Sequence, residues 1–217
     1  MVKNIMLTIA ALLLAGSFAT CTNNEGSNED DDFMTEDIIV RCEKCYYYCL
    51  GEKIFLNQVS NKIFLQFTSD AEQAQMRALV GINESLKLID GAYCYDGNLR
   101  FAALVSKEGK PIESTVLESF KAQAKIAFVT YIYLYEHSYQ GLLDVFAVKL
   151  KENTTYEQLQ KLAEQNNCAI GAEDEFMKNE FYIHISKHYD LSALQIGNLF
   201  YETGLFEFVQ PKFAILY

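Results

Sequence analysis

Beyond residue 56 one order of elements occurs twice, and that repetition limits the available folds more than any single motif. In the first copy Lys62 to Phe67 (KIFLQF) reads as a strand. Ser69-Asp70-Ala71-Glu72 is a capping box that opens a helix with Met76, Leu79 and Val80 on one side and Gly81 at its end. Leu86 to Tyr95 and Leu99 to Val105 follow as strands joined by Asp96-Gly97-Asn98, a hairpin signal. Pro111 starts a second helix, with Ile112, Val116, Leu117 and Phe120 at helical spacing, and Ala124 to Tyr135 closes the copy as a long strand.

The second copy runs in the same order. Leu143 to Leu150 is its first strand, and Thr154-Thr155-Tyr156-Glu157 is a capping box followed by Tyr156, Leu159, Leu162 and Ala163 on one face. Cys168 to Glu173 and Glu180 to Ser186 are the middle strands. Ser192-Ala193-Leu194-Gln195 caps a helix carrying Ile196, Leu199 and Phe200 inward, Gly204 ends it, and Phe206 to Gln210 is the last strand before Pro211. Each copy reads β-α-β-β-α-β, so the expected class is α+β: two tandem ferredoxin-like domains with antiparallel sheets, over 46–138 and 139–217. In that arrangement both helices cover one sheet face. The other is left for a partner, or for the two copies to pack on each other.

The residues before these copies are of another kind. Lys3 and the apolar run Ile5 to Ala15 read as a signal peptide over 1–20, because a membrane-spanning helix needs about 20 apolar residues. Ser17-Phe18-Ala19-Thr20-Cys21 resembles a bacterial lipobox, which makes Cys21 the expected lipid-attachment residue; cleavage after Ala19 to give a secreted protein is the alternative. Residues 21–45 are an acidic tether and a cysteine-rich lead-in. Thr22 to Asp32 has no hydrophobic anchor that could offset the entropy of ordering it. Its acid run resembles an export signal of surface lipoproteins in Gram-negative anaerobes. The expected address is an outer-membrane lipoprotein, at the cell surface or on the periplasmic face, whose membrane partner is reached through the N-terminal lipid. Seven acids between residues 22 and 40 (Glu25, Glu29, Asp30, Asp31, Asp32, Glu36, Asp37) supply most of the net charge of −11. Nucleic acid is excluded as a partner, since phosphate neutralisation needs clustered Lys and Arg.

Cys42-x2-Cys45-x3-Cys49 has half the spacing of a zinc site, but a second ligand pair is missing and the three histidines (His137, His184, His188) lie far downstream. Disulfides are possible outside the cytoplasm, and the sequence does not say which of Cys42, Cys45 and Cys49 would pair. Cys94 and Cys168 sit in apolar runs and read as buried small hydrophobes.

Two stretches resemble a known family. Leu199-Phe200-Tyr201-Glu202-Thr203-Gly204-Leu205-Phe206-Glu207-Phe208-Val209-Gln210-Pro211-Lys212-Phe213 resembles the end of the N-terminal propeptide region of secreted subtilisin-like serine proteases of Gram-negative anaerobes. Tyr46-Tyr47-Tyr48 with Gly51-Glu52-Lys53-Ile54-Phe55-Leu56 resembles its opening, so the likeness brackets residues 46–213. Gln210 and Lys212 depart from it, standing where the family usually has acids. No segment of the Asp-x-Gly, His-Gly-Thr or Gly-Thr-Ser type is present, so nothing supplies the nucleophile, base and orienting acid of a serine protease. The resemblance therefore implies a non-catalytic module that needs no cofactor. Its partner would be a subtilisin-like serine protease, inhibited or chaperoned in trans. It also implies that Phe213, Ala214, Ile215, Leu216 and Tyr217 lie substrate-like in the protease cleft; the alternative is that they complete an edge strand.

Other candidates are weaker. His184 and His188 are two-histidine spaced, but on a strand they stand about 13 Å apart, too far for one metal, so no metal site is expected. Glu173, Asp174 and Glu175 fall in a turn and do not make a glycosidase pair. Tyr131, Tyr133 and Tyr135 alternate along one strand and put three phenols on one face. That is an aromatic binding face for protein or glycan, or a packing surface against a neighbouring domain. A surface binding module without a protease partner is the competing function.

Overall fold

The computed structural model describes residues 36–96, 99–187 and 191–216. In chain order these form β1 (Ile39–Cys49), β2 (Glu52–Phe67), α1 (Gln73–Val80), β3 (Leu86–Asp96), β4 (Leu99–Ser106), α2 (Ser114–Lys121), β5 (Ile126–Tyr135), β6 (Ser138–Leu150), α3 (Tyr156–Gln165), β7 (Cys168–Glu173), β8 (Glu180–Ile185), α4 (Ala193–Glu202) and β9 (Phe206–Leu216).

Helix starts follow the capping chemistry, with instructive displacements. Ser192 and Gln195 form the expected reciprocal box at α4. At α3 the box is Thr155 with Gln158, one residue later than expected, because the Thr154 hydroxyl is donated to the Leu205 carbonyl at 2.7 Å. At α1 it is Glu72 with Gln75, since Asp70 is held in a turn by the Thr68 hydroxyl and the Lys125 ammonium. Residues 111–113 do not open α2, whose N-cap is Glu113. The Ile112 amide donates to the Ser60 carbonyl at 2.8 Å and its carbonyl accepts the Tyr131 hydroxyl at 2.7 Å, so this segment is tied to the sheet.

The expectation of two tandem ferredoxin-like domains is corrected. All nine described strands belong to one continuous antiparallel sheet, in the order β3-β4-β2-β5-β6-β8-β7, with β1 added to β2 and β9 to β6. The cause lies at Glu136-His137. Tyr135 pairs with Ser138, Leu134 with Tyr139 and Tyr133 with Gln140, so β5 turns directly into β6 without a linker. Glu136 takes a φ of 53° to make that turn. The strand expected from Leu143 therefore starts at Ser138, and what would have been a domain boundary is a hairpin.

The core has three parts. Helices α1 and α2 cover Ile63, Leu65, Phe67, Leu104 and Phe120 on one side of the β2–β4 region. Helices α3 and α4 cover Phe146, Val148, Ile183, Phe200 and Val209, and Cys45 and Leu56 from β1 and β2 join them. The third cluster is on the helix-free side, where Phe64, Phe101 and Ile132 meet Ala214 and Leu216 of β9. A Cβ on Gly141 of β6 would overlap the Phe64 ring, so only glycine permits the β6–β9 ribbon to lie that close. Burial on both sides explains why KIFLQF shows no clean alternation. The helix-free face of the first copy is not left for a partner.

Candidate functional site

Chemically distinctive residues gather where β1 and β2 cross α4. Sequence reasoning missed β1 as a strand because its pairing is interrupted. Arg41 pairs with Asn57 and the next pair is Tyr46 with Phe55, so residues 42–45 stand opposite Leu56 alone. A disulfide joins Cys42 to Cys45 across this bulge, while Cys49 is an exposed free thiol. The bulge turns Cys45 into the core beside Leu56 and re-aims the three tyrosines that follow.

Those tyrosines clamp the hairpin to α4. The Tyr46 carbonyl accepts the Asn198 side-chain amide at 2.8 Å. Tyr47 packs on Phe213 with ring centres 6.1 Å apart. Tyr48 stacks on Tyr201 at 4.3 Å and donates its hydroxyl to Glu202 at 2.9 Å. Loss of solvation, followed by the Glu202 carboxylate, raises the Tyr48 hydroxyl above the ordinary phenol range. On the outer side Tyr46 packs on Phe55 at 5.5 Å, with the Lys53 ammonium 4.2 Å from the Tyr46 ring centre. The hydrogen bond with Tyr46 is the largest of the effects that hold the Lys53 ammonium above its usual value.

The turn between the strands is Leu50-Gly51, with φ of 51° and 89°. Two-residue hairpin turns favour positive φ at both positions, and Asn or Gly normally fills them. A leucine there costs about 1–2 kcal/mol in backbone strain. Its side chain is also fully exposed, Phe55 is 53 % exposed, and Ile39 and Val40 are exposed on the same hairpin. Leu50 and Phe55 make an exposed apolar ridge at the turn end of β1–β2, with Lys53 and Glu202 beside it, and Ile39 and Val40 lie beyond the bulge at the other end.

The residues expected to form sites are placed otherwise. Phe213, Ala214, Ile215 and Leu216 are the last residues of β9 and pair with Leu142, Gly141, Gln140 and Tyr139. Ala214 and Leu216 are 3 % and 4 % exposed, so this segment completes the sheet and is not a loose tail; Tyr217 lies outside the described residues. Tyr131, Tyr133 and Tyr135 do share a face, but it is the helix-covered one. Tyr131 packs with the α1–α2 cluster and the other two with the α3–α4 cluster. Burial pushes the Tyr133 hydroxyl up to about 12. Cys21 and the whole signal and tether segment to residue 35 also lie outside the described residues. Cys94 is fully buried but disulfide-bonded, so it is not the simple small hydrophobe expected, and burial raises the half-buried Cys168 thiol to about 11.

Asp174 accepts the Phe176 and Met177 amides at 2.9 Å each, which hold its carboxyl below the usual range, and Glu173 accepts the Asn179 amide at 2.7 Å. These two carboxylates brace a turn. His184 is exposed on β8, and His188 falls outside the described residues. Among the described residues no group of three His, Cys, Asp or Glu side chains could hold a metal ion. None of the described helices is long and apolar enough to cross a membrane. Comparison with protein-family models, with curated proteins and with solved structures finds no match to this chain.

Proposed function

We propose that this chain is a non-catalytic, lipid-anchored module that engages a subtilisin-like serine protease in trans, as an inhibitor or folding chaperone. The ridge of β1–β2 and α4 is its docking surface. The supporting observation is spatial. The two stretches that resemble protease propeptides, Tyr46–Leu56 and Leu199–Phe213, are far apart in sequence and meet in one place, through Tyr48 on Tyr201, Asn198 on Tyr46 and Tyr47 on Phe213. Beside that junction stand Leu50 and Phe55, exposed apolar side chains of the kind that anchor protein interfaces. The strained leucine at the tip is fully exposed and has no packing role among the described residues that would account for it. Ala214, Ile215 and Leu216 are not offered as a tail for the protease cleft, because they are paired within β9.

The decisive measurement follows progress curves of a secreted subtilisin-type protease, and its recovery from denaturant, with the intact protein and with a Leu50→Asp/Phe55→Asp variant. The intact protein is expected to inhibit or to speed recovery, with at least a tenfold weaker effect from the variant at unchanged circular dichroism. Equal effects would remove the ridge from the proposal. No effect of either protein would leave a surface module for another protein or for glycan.

A further inference from the structure

We infer that the Cys42–Cys45 disulfide is a reducible fastener: thiol exchange with an external dithiol unlocks residues 36–45 while the rest of the fold stays closed. Three observations converge on β1. The disulfide closes a bulge in which four residues stand opposite one, so residues 36–41 are joined to the Tyr46–Cys49 pairing only through that stapled segment. Those preceding residues are seated by a compact polar cluster. The Asp37 carboxylate is 2.7 Å from the ammonium of Lys62, a lysine buried completely, and accepts the Tyr139 hydroxyl at 2.6 Å. Asn61 donates to the Glu36 carbonyl at 3.0 Å and accepts the Ile38 amide at 3.2 Å, and Ser60 donates to the Ile38 carbonyl.

This seating depends on register. The bulge places Asp37 at Lys62; removing its three extra residues would slide residues 36–41 by about 10 Å along β2 and turn every side chain to the other face. In the continuous register Val40 would stand where Asp37 now does. The disulfide forbids that straightening, and without it the bulge is a floppy insertion in an edge strand that pairs with β2 only.

The exchange balances with the dithiol as reductant. One of its thiolates attacks the half-buried Cys42 sulfur, forming a mixed disulfide and releasing the Cys45 thiolate, which takes a proton from water. The second dithiol sulfur then attacks the mixed disulfide, leaving an oxidised dithiol and a free Cys42 thiol. Two electrons pass to the protein sulfurs. Cys49 does not act as an internal resolving thiol, since positions 45 and 49 of an extended strand are about 13 Å apart and a disulfide needs Cα atoms within about 7 Å.

Hydrogen exchange of the whole protein, oxidised and after incubation with dithiothreitol, tests the inference, and a Cys42→Ser/Cys45→Ser variant provides the second arm. Residues 36–45, and the Asn57–Ser60 amides that face them across β2, are expected to exchange at least tenfold faster in both arms, with residues 46–55, 63–67 and 199–216 unchanged. Unaltered exchange of 36–45 in both arms would overturn it. So would loss of protection throughout the sheet in the Cys42→Ser/Cys45→Ser variant, because the bond would then be a global support; dithiothreitol also opens the disulfide of Cys94, so the variant decides this point. If the variant does not fold, partial reduction that opens Cys42–Cys45 and leaves Cys94 bonded, checked by mass mapping of the labelled thiols, takes its place.

Discussion

Tyr131, Tyr133 and Tyr135 on β5 and Tyr46, Tyr47 and Tyr48 on β1 are both runs of phenols in strands, yet their surroundings are opposite. β5 lies between β2 and β6 under the helices, so Tyr133 goes into the core and Tyr131 and Tyr135 pack half-buried against it. β1 has one strand neighbour and a bulge just before its tyrosines, so Tyr46 and Tyr48 remain partly open and clasp α4 from outside. Place in the sheet decides which run is structural and which can meet a partner. Alternation along the strand does not.

Removing one ring from each run separates the two roles most sharply. Tyr133→Ala empties a buried aromatic site and should cost about 3–5 kcal/mol, seen as a large fall in the urea midpoint. Raising the pH tests the same side chain without mutation. Its folded-state pKa, about 12, lies above the unfolded value of 10.0, so the folded protein holds this proton more tightly. The contribution is fully present below pH 10 and is lost as pH rises from 10 towards 12, about 2–3 kcal/mol in all. Denaturation monitored across that window should show a smaller loss in Tyr133→Phe than in the wild type, the remainder coming from other tyrosines held above the ordinary phenol range, Tyr139 among them. Tyr48→Ala, on the open run, should cost about 1 kcal/mol through the Tyr201 stack and the Glu202 hydrogen bond. The smallest effect has the opposite sign. Leu50→Asn relieves the turn and should raise stability by about 0.5–1 kcal/mol while weakening protease inhibition. A variant that is both more stable and fully inhibitory would detach the strained tip from function.

How much of this could be read from the residues varied with how local the cause was. Ser192 and Gln195 announced α4 because a capping box is made within one turn. Thr155 was displaced by one position because Thr154 had a distant partner at Leu205, which no local pattern reveals. The nine-stranded sheet turned on two residues, Glu136 and His137, that carry no hairpin signature; neither is glycine or asparagine. β1 was hidden because a bulge breaks the period on which strand recognition depends. The ridge proposed for docking was half legible. Its residues were quoted for their resemblance to propeptides, but only the fold brings Tyr48 to Tyr201.

The ribbon of β6 and β9 across Phe64 also has a consequence for how the chain is made. Phe64, Phe101 and Ile132 precede the side chains that cover them, Ala214 and Leu216, which belong to β9 and follow every other described strand. The β1–β2 hairpin likewise waits for α4, with hydrogen bonds spanning 152 and 154 residues. A nascent chain therefore cannot finish its first half and then add a second. It carries an uncovered apolar face until β9 has been made, and closes both halves in one slow step after that.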